Sequence, residues 1–188
     1  MYSQLKKGDY AFWSRWTDAY ETTYNNSRSI VSIYSDDSDK NNRVCKIPST
    51  VTYVGEYAFM NNHFKSVSIP STLNNIGLNA FGSNAKNGNK NDSLLSDLSS
   101  FTVEETSSYF TTDGDNLYSK DYDMLFFHAR GAANKDVVLN TNTKTIGFEA
   151  FNGSDITSVT FNSSLQKING FAFNRNTKLT SVKGDLTG

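Results

Sequence analysis

Short runs of strict alternation between apolar and small polar residues recur along this chain. In Phe64-Lys65-Ser66-Val67-Ser68-Ile69-Pro70, Val67 and Ile69 alternate with Ser66 and Ser68. That pattern predicts a strand with one side on a core and the other in solvent. Leu98-Ser99-Ser100-Phe101-Thr102-Val103 parallels it position by position, and Ser29-Ile30-Val31-Ser32-Ile33 follows it closely. Pro48 and Pro70 end two such runs, because proline cannot donate the next ladder hydrogen bond. A second phrase, Val54-Gly55-Glu56-Tyr57-Ala58-Phe59, alternates with these strands. It returns as Ile76-Gly77-Leu78-Asn79-Ala80-Phe81, Ile146-Gly147-Phe148-Glu149-Ala150-Phe151 and Ile168-Asn169-Gly170-Phe171-Ala172-Phe173, with a weaker copy at Gly8-Asp9-Tyr10-Ala11-Phe12. The glycine permits a turn that a side chain would obstruct. The alanine allows close packing of neighbouring coils, and Phe59, Phe81, Phe151 and Phe173 are predicted to stack as a ladder.

The spacing of these phrases is regular. Ile47 and Ile69, Gly55 and Gly77, Ala58 and Ala80, and Phe59 and Phe81 all lie 22 residues apart. The same 22 separates Leu139 from Phe161, Ile146 from Ile168, Ala150 from Ala172 and Phe151 from Phe173. A period of that length is the signature of leucine-rich repeats, in which each coil buries the next.

Four segments interrupt the register. Residues 13–28 carry Trp13, Trp16, Tyr20 and Tyr24 at helical spacing, which predicts a short helix packing its aromatics on the solenoid edge. The competing reading is an aromatic ligand platform, which needs those rings exposed. Residues 35–43 have no apolar residue and read as a hairpin loop or loose turn. Residues 82–97 begin with an Asn-, Gly-, Ser- and Lys-rich excursion. Residues 104–137 form the largest insert, in which Leu117-Tyr118-Ser119 and Met124-Leu125-Phe126-Phe127 flank the polar turn Lys120–Asp123. A β-hairpin padding the solenoid edge is expected there.

The pattern Ile-Gly-x-x-Ala-Phe, followed by a strand ending in Pro, resembles the BspA-like repeats, also called Treponema pallidum-type leucine-rich repeats. Residues 101–125 resemble the hairpin-bearing insert common in such proteins. The resemblance covers nearly the whole chain and is weakest in residues 13–43 and 82–97. It implies a curved, right-handed, β-rich leucine-rich-repeat solenoid with one short strand per repeat of about 22 residues. It also implies a cell-surface or secreted setting, a role in adhesion or protein binding, and no catalytic residues to carry over. Two departures stand out. Asn61 and Gly153 occupy the place of a spacer cysteine common in the family, and Asn169 replaces the turn glycine.

Composition narrows the function classes. The 188 residues carry a net charge of -1 and no basic block, so a phosphate-binding stripe for nucleic acid is missing. No apolar run approaches the ~20 residues of a membrane span. Met1–Lys7 lacks the apolar segment of a signal peptide. Gly8 to Phe12 enters in mid-repeat and the last strand-like run stops at Gly188 without an evident cap, so residues 1–188 are expected to be one solenoid domain cut from a longer protein. The single cysteine, Cys45, excludes an intramolecular disulfide and falls on an inward strand position, where it is expected to act as a small hydrophobe.

Little else suggests chemistry. His63 and His128 are isolated and form neither a metal cluster nor a HExxH motif, so solvated or locally bonded side chains are expected. Asp113-Gly114-Asp115-Asn116 lacks the later glutamate and spacing of an EF-hand and reads as a turn. Asn25, Asn91, Asn152 and Asn162 begin Asn-x-Ser sequons in a chain already rich in asparagine. No catalytic residue, cofactor or metal ligand is predicted.

What remains is surface. Successive strands align Ser66, Ser68, Ser100, Thr102, Ser158, Thr160 and Ser181 into a hydroxyl-rich face. Such residues serve equally to solubilise a sheet. As a binding surface, a flat hydroxyl face suits a protein or glycan partner better than a small molecule, because it offers no deep apolar pocket. The expectation is a non-enzymatic recognition or adhesion module; the alternative is a structural spacer or accessory domain that positions another domain.

Overall fold

The computed structural model of the chain describes residues 44–56, 58–59, 65–81 and 98–184. The aromatic stripe of residues 13–28, the loop 35–43, the excursion 82–97, and the repeat copies before residue 44 lie outside the described residues. Every regular element in the described residues is a short strand. In chain order these are β1 (Val44–Lys46), β2 (Tyr53–Val54), β3 (Ser66–Ile69), β4 (Asn75–Ile76), β5 (Ser100–Val103), β6 (Phe110–Thr112), β7 (Asn116–Ser119), β8 (Met124–His128), β9 (Asp136–Val138), β10 (Thr145–Ile146), β11 (Ser158–Thr160), β12 (Lys167–Ile168) and β13 (Ser181–Lys183).

The strands wind into a curved β-solenoid, one coil per repeat, and successive coils add parallel strands to two three-stranded sheets, β1-β3-β5 and β9-β11-β13. On β1, β3 and β5 the partners are Cys45, Val67 and Phe101. On β9, β11 and β13 they are Val137, Val159 and Val182. The alternation fixes this register, since a one-residue slip would turn every core side chain into water. Cys45, Val67, Phe101, Val137 and Val159 are all buried.

A second, two-residue ladder runs along another side of each coil. It joins Val54 to Ile76, and Leu125 to Ile146 to Ile168. Here the recurring phrase begins, and its glycine acts through space rather than through an unusual φ. A Cβ on Gly77 would lie 2.4 Å from the Glu56 nitrogen of the preceding coil, and one on Gly147 would lie 2.8 Å from the Leu125 oxygen. The left-handed backbone falls two positions later, at Asn79, Glu149 and Phe171, with φ of 53°, 55° and 57°.

The phenylalanine ladder forms in two pieces. Phe59 and Phe81 stack with centroids 5.5 Å apart, and Phe151 and Phe173 stack at 4.9 Å. Between the pieces lies the hairpin of β7 and β8, which pairs antiparallel as the sequence predicts. Its position differs from the expected padding. β8 pairs in parallel with β10 and so forms a rung of the second ladder. Leu117 and Phe127 pack into the core of the first coils, while Tyr118 and Leu125 pack into the core of the last ones. The hairpin is therefore the shared wall of two cores, because its consecutive apolar residues leave neither side free for solvent. A second tie crosses it, where Asn79 Nδ2 donates to Glu149 Oε2 at 2.6 Å.

Many serines and threonines serve this stacking. Thr72 and Thr143 hydroxyls donate to the Val51 and Tyr122 carbonyls of the preceding coil, at 2.9 and 3.0 Å. Ser99 and Thr157 do the same to the Lys65 and Lys135 carbonyls, at 2.8 and 3.3 Å. Polar side chains here bond to backbone carbonyls at the coil corners, and at Lys65 and Lys135 they add to backbone amides of the next coil on the same oxygen.

Candidate functional site

The outward positions of the face strands hold all seven hydroxyl residues singled out in the sequence, in two groups on separate sheets. On the first sheet, Ser66 pairs with Ser100 and Ser68 with Thr102, and the two rows continue to Val44 and Lys46 on β1. On the second sheet, Ser158 pairs with Ser181. Its row begins at Asp136 on β9, and the row of Thr160 runs from Val138 to Lys183. Asp136, Val138 and Lys183 were missed by a search for hydroxyls. Their signal was positional, since Asp136 and Val138 lie 22 residues before Ser158 and Thr160.

The second group forms a shallow depression of about 400 Å³ that includes Asp136, Val138, Ser158, Thr160, Ser181 and Lys183. Its hydroxyls are not equivalent. Ser158 is buried and donates to Asp136 Oδ1 at 2.8 Å, and Thr157 donates to the same oxygen at 3.0 Å. Those two donors, with the nearby Lys183 ammonium, hold the Asp136 carboxyl below the usual range. Thr160 and Ser181 are half-buried on the open surface, and Lys183 is exposed. The site therefore offers a fixed carboxylate, an exposed ammonium and an apolar side chain, Val138, that is 68% exposed.

The remaining candidates serve structure. Cys45 is buried, and desolvation pushes its thiol up to about 12, far from a reactive thiolate. His128 is locally bonded, as expected, and it is also buried: Nδ1 lies 2.9 Å from Asn116 Oδ1. Its ring stacks on Phe151 at 5.0 Å, and burial lowers its pKa to about 4. Asp113 closes a turn by accepting from the Asp115 and Asn116 amides at 3.1 and 2.7 Å, and its other oxygen takes the Asn116 side chain. Two of the four sequon asparagines are described. Asn152 Nδ2 donates to Glu149, and Asn162 Nδ2 donates to the Asn140 and Thr143 carbonyls. His63, Asn25 and Asn91 lie outside the described residues. Among the described residues no group of three or more His, Cys, Asp or Glu is placed to hold a metal ion.

The BspA type leucine rich repeat region matches residues 34–101 and 126–185 in six copies, leaving out much of the hairpin insert. The pneumococcal vaccine antigen PcpA is similar in structure, with a TM-score of 0.61 and 25% identity over 71% of this chain. A leucine-rich repeat protein from Eubacterium ventriosum aligns with a TM-score of 0.60 and 17% identity over 76% of this chain. The chain spans only 31% of the first and 42% of the second. No curated protein matches the sequence. Proteins of this fold are typically non-catalytic interaction modules. The repeat phrase, its register and the profile match agree: the chain belongs to the BspA-type leucine-rich-repeat family.

Proposed function

We propose that this chain is a surface-exposed or secreted recognition module that takes a protein or glycan partner on the outward face of its strands. The observation that carries the reading is the open depression on β9, β11 and β13, where Asp136, Thr160 and Lys183 point away from the core. Extended solenoids use such regular faces for binding, and a shallow polar surface matches a macromolecule better than a small ligand. The likeness to PcpA, a vaccine antigen, supports a setting outside the cell.

A spacer role is the second reading. It draws support from the hydroxyls of Thr72, Ser99, Thr143 and Thr157, which are already engaged in coil stacking. Pull-down from a cell-surface extract separates the two. Thr160→Arg should abolish capture while leaving circular dichroism unchanged, and Ser68→Glu reports whether the first sheet contributes. Capture insensitive to both substitutions moves binding to the inserts. No capture by the wild-type chain favours the spacer.

A further inference from the structure

We propose that the partner of the β9, β11 and β13 face is an extended protein segment carrying both signs of charge, with a basic side chain over Asp136 and an acidic one over Lys183. This rests on the reading of that face as the binding surface.

Opposite charges elsewhere on this solenoid find each other across neighbouring coils. Lys144 meets Asp123 at 2.6 Å, and Lys178 meets Asp155 at 2.9 Å. On the depression the arrangement differs. Asp136 sits on β9 and Lys183 on β13, with β11 between them. Two strand spacings and a two-residue step along the strands separate their Cα atoms by about 12 Å, and no ion pair joins them among the described residues. One oxygen of Asp136 is held by Ser158 and Thr157, and the other accepts no hydrogen bond among the described residues. No hydrogen bond or ion pair among the described residues engages the Lys183 ammonium. The result is a pre-oriented anion and, at longer range, a cation without an ion pair among the described residues, flanking Thr160 and the exposed Val138.

This layout selects among occupants. A neutral glycan can give hydroxyls to Asp136 but leaves the Lys183 ammonium without a counter-charge. An acidic glycan meets repulsion at Asp136, and a peptide of one sign meets repulsion at one end or the other. A purely apolar surface would bury both charges unpaired, which is strongly unfavourable. An extended two-signed segment satisfies each element. Side chains on one side of a strand recur every second residue, about 7 Å apart, so opposite charges two or four residues apart bracket the ~12 Å separation. The intervening side chain then covers Val138 and Thr160.

Fluorescence anisotropy on the full chain tests this with short labelled peptides. One set carries arginine and glutamate two or four residues apart around a valine; controls replace both charges by glutamine or carry two arginines. The charged pair should bind at least ~10-fold tighter than the neutral control at low salt, and less so at high salt. Asp136→Asn, which keeps the acceptor for Ser158, and Lys183→Met should each reduce that preference several-fold. Lys183→Glu should transfer the preference to the two-arginine peptide. Equal binding of the neutral control, indifference to these substitutions, or no peptide binding overturns the proposal. Glycan-array binding lost in Asp136→Asn, without peptide binding, overturns it in favour of a sugar. If Thr160→Arg still abolishes capture in the pull-down while no peptide binds, the face stands as the binding surface and only the two-signed segment falls.

Discussion

The first three face strands and the last three solve the same problem with different residues. Both sets align one apolar position per coil: Cys45, Val67 and Phe101 are buried in one, and Val137 and Val159 in the other, where Val182 on the last strand stays half exposed. They end their strands differently. Pro48 and Pro70 follow the inward Ile47 and Ile69, whereas Asn140 and Asn162 follow Leu139 and Phe161. Proline stops the ladder by lacking a donor, while Asn162 makes bonds of its own to the preceding coil. The outward rows differ too, from mainly serine and threonine beside Lys46 to a face bracketed by Asp136 and Lys183. Inward positions tolerate only apolar residues of suitable volume, because each coil seals its neighbour. Outward and corner positions carry no such demand, so differences between the halves accumulate there, and any recognition specific to this chain belongs there.

The largest expected effect tests whether the halves are one cooperative unit. Phe151 is buried and lies between His128 and Phe173, so Phe151→Ala should lose about 3–5 kcal/mol. Phe59 stacks on Phe81 in the first half and is nearly as buried, so Phe59→Ala should cost a similar amount. Denaturant unfolding should show one transition shifted in both variants if the shared hairpin couples the cores. Two separating transitions would mean that β7 and β8 divide the solenoid instead of joining it.

The next effect depends on pH and on one position. The His128 amide donates to the Ala150 carbonyl at 2.9 Å, the bond that Phe59 makes to Ala80 and Phe151 to Ala172. A histidine thus takes a ladder place that phenylalanine holds elsewhere. Its folded pKa of about 4 lies below the ordinary 6.5, so the unfolded chain binds the proton more readily. Stability contributed by the neutral ring is complete above pH 6.5 and declines as pH falls toward 4. The decline should reach about 3 kcal/mol. Lys135 adds to the effect by disfavouring the imidazolium. In His128→Phe the difference in stability between pH 7 and pH 4 should shrink by that amount, measured by denaturation at each pH. An unchanged pH profile would show that the ring is not held neutral by its surroundings.

Much of the fold was legible because repetition turns one weak signal into several aligned ones. The spacing of 22 between Ile47 and Ile69 is the strand register seen between Cys45 and Val67. The hairpin was legible as a hairpin, since polar residues 120–123 separate two apolar runs. Its role as a rung was not. Met124-Leu125-Phe126-Phe127-His128 carries neither the glycine nor the Ala-Phe pair of the repeat, and only the 21-residue step from Leu125 to Ile146 betrays its place. The candidate face was legible by position but not by residue type. Selecting serine and threonine found Ser158 and Thr160 but passed over Asp136, Val138 and Lys183. It also did not separate outward hydroxyls from those that bond to backbone carbonyls, because that distinction depends on where the neighbouring coil's carbonyls lie.

The smallest effect addresses the strand ends directly. Asn162 Nδ2 bonds to the carbonyls of Asn140 and Thr143, so the side chain staples one corner to the next. Asn162→Ala leaves both carbonyls without that donor and should cost about 1–2 kcal/mol, since the corner is only partly buried and water replaces some of the loss. Asn162→Pro copies the device of the first half. It removes the same side-chain bonds but also reduces the freedom of the unfolded chain, worth about 0.4–1 kcal/mol where the backbone accepts proline. Proline should therefore be less harmful than alanine at this corner, as judged by thermal melting. Should proline be the more damaging, the corner needs the Asn162 amide N–H or a φ that proline cannot adopt. Pro70 and Asn162 would then be answers to different backbone geometries, and the two halves would differ in path as well as in residues.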